Sequence, residues 1–280
     1  SYEAGIQFGL FNNRLNFDGA YVYSDSDGQI FNSTASRATG YNVKVINAGR
    51  LVNNIFELSL NGDIIRSNEV KWNMGVNFTY IKNIVKDLSE GLTNINNFRQ
   101  SYAVKGEQYP SLLVSDYAKD PQGRVIIDAN GEPMKAQGTT NLGALIPPYL
   151  MGLSTGVSYK GFSLNAQLDW RMGGWLYSEI IPRMYSAGTH PATVQYDRQP
   201  FVWPNSVIET APGVYAENTN RLSKGDQAFW TKQGEIQINT AAKSDFLKLR
   251  ELSLNYAVPS KFLAGQKVIR QASLGLVANN

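Results

Sequence analysis

Four side chains with amide or charged groups occupy alternate positions in one short stretch: Asn165, Gln167, Asp169 and Arg171. In an extended strand, alternate side chains point to the same face, so these four would form one polar row. Asp169 and Arg171 stand two residues apart, and they can pair with each other or contact a solute. We therefore predict the row as a candidate substrate-binding surface, with a solvated polar wall as the alternative.

A second group of candidate binding residues is aromatic and lies outside the alternating stretches. It contains Trp175, Trp203 and Trp230, together with Tyr185 and Tyr215. Such rings can stack on sugar rings or pack against a peptide. Packing within the loops, or against a partner that covers them, is the alternative interpretation.

Residue types that catalysis commonly requires are scarce. The chain has no cysteine and a single histidine, His190, so disulfides, thiolate chemistry and a two-histidine metal site are excluded. No Gly-x-Ser-x-Gly element is present. A carboxylate pair of the glycosidase kind stays open, but no spacing singles one out. We predict that the protein is not an enzyme and uses no cofactor.

Two acidic turns resemble the beginning of a calcium-binding loop, Asp25-Ser-Asp27-Gly28 and Asp128-Ala-Asn130-Gly131. Neither has the later glutamate that completes such a site. Asp and Asn before Gly are also typical of ordinary turns. We therefore predict turns here and no metal site.

Charge and hydropathy narrow the class of protein further. The net charge is +3 with both signs mixed along the chain, and no basic run indicates nucleic-acid binding. No apolar run approaches the roughly 18 residues of a transmembrane helix. The many tyrosines and phenylalanines favour strands.

The polar row belongs to a stretch that alternates strictly, because its other face is wholly apolar: Phe162, Leu164, Ala166, Leu168, Trp170 and Met172. Similar alternation recurs along the chain and predicts about eight strands in four hairpins. Short turns are expected at Asn12-Asn13, Ser67-Asn68 and Lys160-Gly161, with Asn and Gly at the tight positions.

The predicted hairpins are separated by long connections. The sequence predicts a polar connection at residues 24–54. A longer connection is predicted at 84–146, with a small hairpin at 120–133. A third is predicted at 173–244, with a short helix at 175–186. In the last hairpin, Lys248 and Arg250 interrupt the alternation by sharing the face of Phe246 and Leu252, which suggests a strand end beyond an apolar band.

Short turns on one rim and long loops on the other are typical of outer-membrane barrels. We predict an all-β fold, an antiparallel up-and-down transmembrane β-barrel segment with long extracellular loops. The alternatives are a soluble β-sandwich that acts as a carbohydrate-binding or adhesion module, and a secreted β-rich glycosidase.

The last hairpin carries a resemblance to a known family. Residues 245–256, closed by Pro259, resemble the C-terminal signature of the SusC/RagA family of TonB-dependent outer-membrane transporters. Other family-like pieces follow in the same order: the opening Tyr-Glu-Ala-Gly, Thr39-Gly40, a loop hairpin with Tyr117, Asp120, Gly123, Asp128, Gly131 and Pro133, and the stretch from Gly161 to Gly174.

This resemblance implies import of a bulky nutrient, an oligosaccharide or a peptide, across the outer membrane of a Gram-negative cell. It implies a SusD-like surface lipoprotein over the loops, TonB acting through parts absent from this chain, and outer-membrane lipid around the strands. It also implies that residues 1–280 are part of a barrel domain of about 22 strands, without the plug and the final strand.

Overall fold

A computed structural model describes residues 1–89, 91–222, 224–265 and 268–280 of the chain. The strands are β1 (Tyr2–Leu10), β2 (Leu15–Thr34), β3 (Val43–Arg66), β4 (Val70–Leu88), β5 (Asn94–Phe98), β6 (Ser101–Val104), β7 (Ser111–Val114), β8 (Val125–Ile126), β9 (Thr140–Ala144), β10 (Tyr149–Tyr159), β11 (Phe162–Met172), β12 (Trp175–Tyr177), β13 (Ser206–Ala211), β14 (Val214–Glu217), β15 (Ala241–Lys243), β16 (Phe246–Ala257) and β17 (Ser273–Asn279). The α-helices are α1 (Ile180–Ala187) and α2 (Gln227–Glu235), with short 3₁₀ segments at Arg37–Thr39, Pro191–Arg198, Gln237–Thr240 and Ser260–Phe262.

One antiparallel sheet of eight strands dominates the molecule, in the order β1-β2-β3-β4-β10-β11-β16-β17. Consecutive strands form the hairpins β1–β2, β3–β4, β10–β11 and β16–β17, which confirms the predicted all-β class and the four hairpins. The turn between β10 and β11 is the predicted Lys160-Gly161, whose φ angles of 45° and 88° lie in the left-handed region. Two such residues match the twist of the flanking strands.

The two faces of this sheet differ in chemistry from β1 to β16, across seven of its eight strands. One row of register partners on the first face is entirely apolar: Phe8, Phe17, Leu60, Val76, Leu153, Leu168 and Leu249. The adjacent row on the other face is polar apart from a glycine: Gln7, Asp18, Ser59, Asn77, Gly152, Asp169 and Lys248. We call these the apolar face and the polar face.

Large side chains on the apolar face are exposed, including Leu164 at 46% and Leu254 at 43%. This exposure shows that no second sheet covers these side chains within the described ranges. A β-sandwich would bury the apolar face between two sheets. The sandwich alternative is therefore wrong, and the apolar face is left free for a surrounding medium.

β16 contains a β-bulge, which explains the break in alternation at Lys248 and Arg250 that was predicted to mark a strand end. The register partner of Gln167 is Glu251 and that of Leu168 is Leu249, so Arg250 is the extra residue. An extra residue reverses the alternation. Leu252 therefore lies on the apolar face, and the predicted sharing of one face by Leu252 and Lys248 is wrong.

The predicted polar connection at 24–54 is also wrong, because most of it is strand. β2 and β3 continue as a paired ladder as far as Thr34 and Val43, so the connection between them covers only residues 35–42. Backbone pairing needs no apolar side chains where both faces are wet or packed by loops. Beyond the apolar band, register partners Leu51 and Val85 are buried with Phe31, Leu88 and Ile95 in a small core.

The described residues of the two longest connections, 89–148 and 173–245, are folded. The small hairpin predicted at 120–133 is present, with Gly123 and Gly131 closing its turns and β8 pairing in parallel with β13 of the other connection. The predicted helix at 175–186 is partly right, because β12 occupies its beginning and α1 starts only at Ile180. No helix in the described ranges is both long enough and apolar enough to cross a membrane.

Candidate functional site

The predicted polar row lies on β11, and its first two members line the polar face. Asn165 and Gln167 are both exposed. Asn165 donates a hydrogen bond of 3.3 Å from Nδ2 to Oγ of Ser253 on β16. Its register partner on β10 is Gly156, where a Cβ would lie 2.7 Å from Oδ1 of Asn165. The absence of a side chain at Gly156 therefore leaves room for this amide.

Asp169 is paired, but with a residue that the sequence did not point to. Its Oδ2 accepts hydrogen bonds from Nη2 and Nε of Arg250 at 2.6 and 3.1 Å. The bulge in β16 turns Arg250 toward the polar face and makes this contact possible. Arg171 does not pair with Asp169; its guanidinium lies 5.1 Å from the ring centre of Phe246 instead.

Three basic groups surround this one ring. Lys248 Nζ lies 5.0 Å and the Arg250 guanidinium 5.6 Å from the centre of Phe246, beside Arg171. We call Arg171, Phe246, Lys248 and Arg250 the cationic cluster. Among the described residues, Arg250 alone of its three basic members has a carboxylate within 4.0 Å. Two cations thus remain available to an anionic or polar solute group.

Sequence reasoning missed Phe246, Lys248 and Arg250 as site residues, although it noticed the two basic residues. The signal in the sequence is the break in alternation at Lys248 and Arg250, which marks a bulge and not a strand end. A basic pair at the start of the last alternating stretch, together with Asp169 and Arg171 in the stretch before it, could have indicated the cluster.

Trp175 lies just beyond the end of β11, at the rim from which the long connections leave. Its indole ring is half-buried and covered by Lys243 Nζ, 4.0 Å from the ring centre. The chain reaches this position through Gly174, where a Cβ would lie 2.7 Å from Pro147. Trp175 and Lys243 are register partners in the β12–β15 pair, which follows the β11–β16 pair along the same two segments of the chain.

The other two predicted tryptophans lie within the folded connections. Trp230 on α2 is 6% exposed and packs against Phe229 and Tyr185 at ring distances of 4.9 and 6.0 Å. Trp203 is half-buried and lies 5.9 Å from the ring of Tyr117. The structure therefore does not bring the three tryptophans together, and the ring of Trp230 is occupied by protein contacts.

A buried hydrogen-bond network joins the two long connections. Tyr117 donates to Oε1 of Gln233 at 2.9 Å and accepts from Nδ2 of Asn239 at 2.6 Å. Burial raises the pKa of Tyr117 to about 12. Ser115 and Gln237 bond reciprocally between backbone and side chain at 2.9 and 3.0 Å. We call the paired connections the loop unit.

The acidic turns use their carboxylates internally. Both Asp25 oxygens accept from Arg50 at 2.8 and 2.6 Å, and Oδ1 of Asp128 accepts from the backbone N–H groups of Asn130 and Glu132. Burial opposes the charged form of Asp120, yet bonds from the Arg124 backbone and guanidinium outweigh it and hold its pKa below the ordinary value. Within the described ranges, no three His, Asp or Glu side chains are grouped as a metal ion would require.

Comparison with known proteins identifies the family to which this architecture belongs. Residues 1–243 match the family described as TonB dependent receptor-like, beta-barrel. TonB-dependent receptor P3 of Formosa agariphila is 21% identical over 93% of this chain and 27% of its own length. TonB-dependent receptor P39 of the same organism is 21% identical over 99% of this chain and 30% of its own length. The chain thus spans less than a third of these relatives.

Solved structures give the same fold. The RagAB peptide transporter superposes with a TM-score of 0.68 at 21% identity, over 99% of this chain and 31% of that one. The RagAB peptide importer in its closed-closed state gives the same TM-score at 20% identity. With the eight-stranded sheet and the matched residues, these likenesses confirm the predicted kind of barrel: the chain belongs to the TonB-dependent receptor-like β-barrel family.

Proposed function

We propose that this chain forms part of the wall of an outer-membrane transporter that imports a bulky nutrient with energy from TonB. The observation that carries the proposal is the eight-stranded sheet with one continuous apolar face and one polar face. Lipid would cover the apolar face, and the polar face would line a wet lumen. Import of this kind moves a solute without changing it, so the protein would not act as an enzyme.

The dimensions of the apolar band support a membrane position. β10 has eleven residues, Tyr149–Tyr159. At about 3.3 Å per residue and a tilt near 45°, such a strand spans about 25 Å, the height of an outer-membrane apolar band. Aromatic pairs stand at both ends of the band, Tyr80 with Tyr149 and Phe162 with Tyr256, at ring distances of 5.1 and 4.4 Å. Such rings suit membrane interfaces.

Residues 1–280 would form eight neighbouring strands of a larger barrel. β1 and β17 are the two edges of the described sheet, and their side chains are exposed along their whole length. Open edges of this length are a liability unless neighbouring strands pair with them. In a longer protein, further strands of the same wall would cover them, and a plug that responds to TonB would lie elsewhere.

The polar wall and the loop unit fit an oligosaccharide or a peptide as the substrate. Exposed amides at Asn165 and Gln167 can bond to hydroxyl or peptide groups, and the half-buried ring of Trp175 can stack on a sugar or a peptide. Between the two, the shared fold with the RagAB peptide importer favours a peptide. A SusD-like surface lipoprotein would cover the loop unit and help to capture the substrate.

Two measurements on the full-length protein in its native outer membrane test this function. Extraction should require detergent, and the band on an electrophoresis gel should shift on heating, because a closed barrel resists unfolding in cold detergent. Deletion of the protein should abolish growth or uptake on one class of nutrient, glycan or peptide. Release into the soluble fraction at native size would contradict the proposal.

A further inference from the structure

The outer side of β4 changes from apolar to basic just beyond the apolar band. Tyr80 is the last aromatic residue of the band on this strand. The next side chain on the same face is Lys82, in register with Asn54, and Ile84 follows in register with Val52. Two residues along a strand advance by about 6.6 Å, so Lys82 lies one short step above the aromatic row.

These residues line one open groove with a volume of about 540 Å³. Val52 and Ile84 form an apolar floor, Tyr80 the lower edge, and Lys82 and Lys86 the basic rim. Both lysines are exposed, whereas Val52 is 5% exposed. Gly106, from the connection that pairs with β4 at this height, closes one side. The groove thus extends from the apolar band, which ends at Tyr80, to the two ammonium groups of Lys82 and Lys86.

Both lysines lack an acidic partner among the described residues, because no carboxylate lies within 4.0 Å of either ammonium group. Asp25 is within electrostatic range of Lys86, but both of its oxygens already accept hydrogen bonds from Arg50. Two ammonium groups on one rim, neither of them in an ion pair with a described carboxylate, are complementary to an anion.

We propose that this groove, which we call the Lys82–Lys86 groove, binds the phosphorylated headgroup of a lipid in the surrounding membrane leaflet. The inference rests on the proposed membrane position of the apolar band. A lipid is favoured over a soluble anion because the basic rim follows directly on the band. Its hydrocarbon would lie against the apolar face while its phosphate meets the lysines. Lysine stems extend along apolar surface and keep their charge at such a boundary.

The test uses the full-length protein purified in detergent, and native mass spectrometry of added lipid. The probes are lipid A with both phosphates and the same lipid after removal of its phosphates. The test variant is Lys82→Gln with Lys86→Gln. The matched control is Lys71→Gln, which removes an exposed lysine from the same strand but on the polar face, in register with Ser158.

We expect the double variant to lose roughly 10- to 30-fold in affinity for phosphorylated lipid A, or about 1 kcal/mol per lysine. The control should bind like the wild type, and the phosphate-free lipid should bind weakly to all three proteins. Equal binding by the wild type and the double variant would overturn the proposal. So would equal binding of both lipids, or displacement of lipid A by millimolar inorganic phosphate, which would indicate a soluble-anion site.

The same preparations separate this inference from the proposed function. A protein that needs detergent and shows a heat-dependent gel shift, but whose double variant retains lipid A, refutes the groove alone. A wild-type protein that stays soluble without detergent refutes the membrane position, and the groove falls with it.

Discussion

The eight-stranded sheet and the loop unit use the same apolar residue types in opposite ways. In the sheet, Leu164 and Leu254 point away from the polar face and stay 46% and 43% exposed, whereas in the loop unit Phe229 and Leu222 are about 1% exposed. The sheet presents its apolar atoms to the medium, and the loop unit hides them from water. One chain therefore combines a sheet with exposed apolar side chains and a loop unit with buried ones. The boundary between these two regions lies near the last row of aromatic residues on the sheet.

Polar groups show the same reversal. Asn165 and Gln167 on the sheet are exposed on the polar face, while Ser115 and Gln233 in the loop unit are buried at 5% and 2% and bonded to other protein groups. A buried polar group without a partner costs free energy, so the loop unit depends on complete pairing in a way that the wet wall of the sheet does not.

The strongest test of this contrast removes a phenyl ring from each region. Phe229→Ala should cost the loop unit about 3–5 kcal/mol, because it leaves a cavity in a packed core. Phe56→Ala on the apolar face should cost much less, since lipid can fill the space. Limited proteolysis of the loops and the heat-dependent gel shift measure the two effects separately. Equal losses from both variants would break the comparison.

A charge tests which face of the sheet meets lipid. Leu164→Arg should destabilise the inserted barrel by roughly 2–4 kcal/mol, because a lipid-facing cation near the middle of the bilayer is costly. Asn165→Arg, one residue further on the opposite face, should have little effect. Folding into vesicles, followed by denaturant titration, gives both values. If the neighbour proved equally harmful, the assignment of faces would be wrong.

The buried network of the loop unit predicts a response to high pH. Tyr117 gives up its proton near pH 10 when unfolded and near pH 12 when folded, so its contribution to stability is complete below pH 10 and is lost as the pH rises toward 12. Tyr117→Phe should cost about 1–3 kcal/mol at neutral pH, since it leaves Gln233 unpaired.

The pH dependence supplies the control for this variant. Thermal unfolding of the loops can be monitored by limited proteolysis at several pH values between 9 and 12. The loss of stability over this pH range should be smaller for Tyr117→Phe than for the wild type. An identical drop in both proteins would mean that Tyr117 is not the responsible group.

The smallest expected effect concerns the ion pair on the polar wall. Asp169 and Arg250 are each about a third exposed or less, so water weakens their attraction, and Asp169→Asn should change stability by at most about 1 kcal/mol. The variant frees a third cation in the cationic cluster. Uptake of an anionic nutrient should therefore rise while stability stays nearly constant. A large loss of stability would show that the pair holds the sheet together.

Much of the sheet could be predicted because alternation is a local property. Side chains along any extended strand alternate between faces, so the run from Phe162 to Met172 indicated a two-faced strand before any neighbour was known. The turn at Lys160-Gly161 was also predictable, since its left-handed backbone favours glycine. The polar row of the candidate site followed from the same pattern.

Features that depend on a partner strand were not accessible in this way. The extension of β2 to Thr34 rests on its pairing with β3, because its side chains no longer alternate by polarity. The pairing of Asp169 with Arg250 depends on a one-residue bulge that is defined only by the register of β16 against β11. The burial of Trp230 depends on packing against Tyr185, which is distant in the sequence.

The sequence by itself determined that strands of this protein have one apolar and one polar face, because side-chain direction in a strand follows from covalent geometry alone. Only the tertiary structure decided which cations meet at Phe246, where the strands end, and which aromatic rings are already occupied. These features depend on contacts between segments that are distant in the sequence. No single segment therefore contains enough information to predict them.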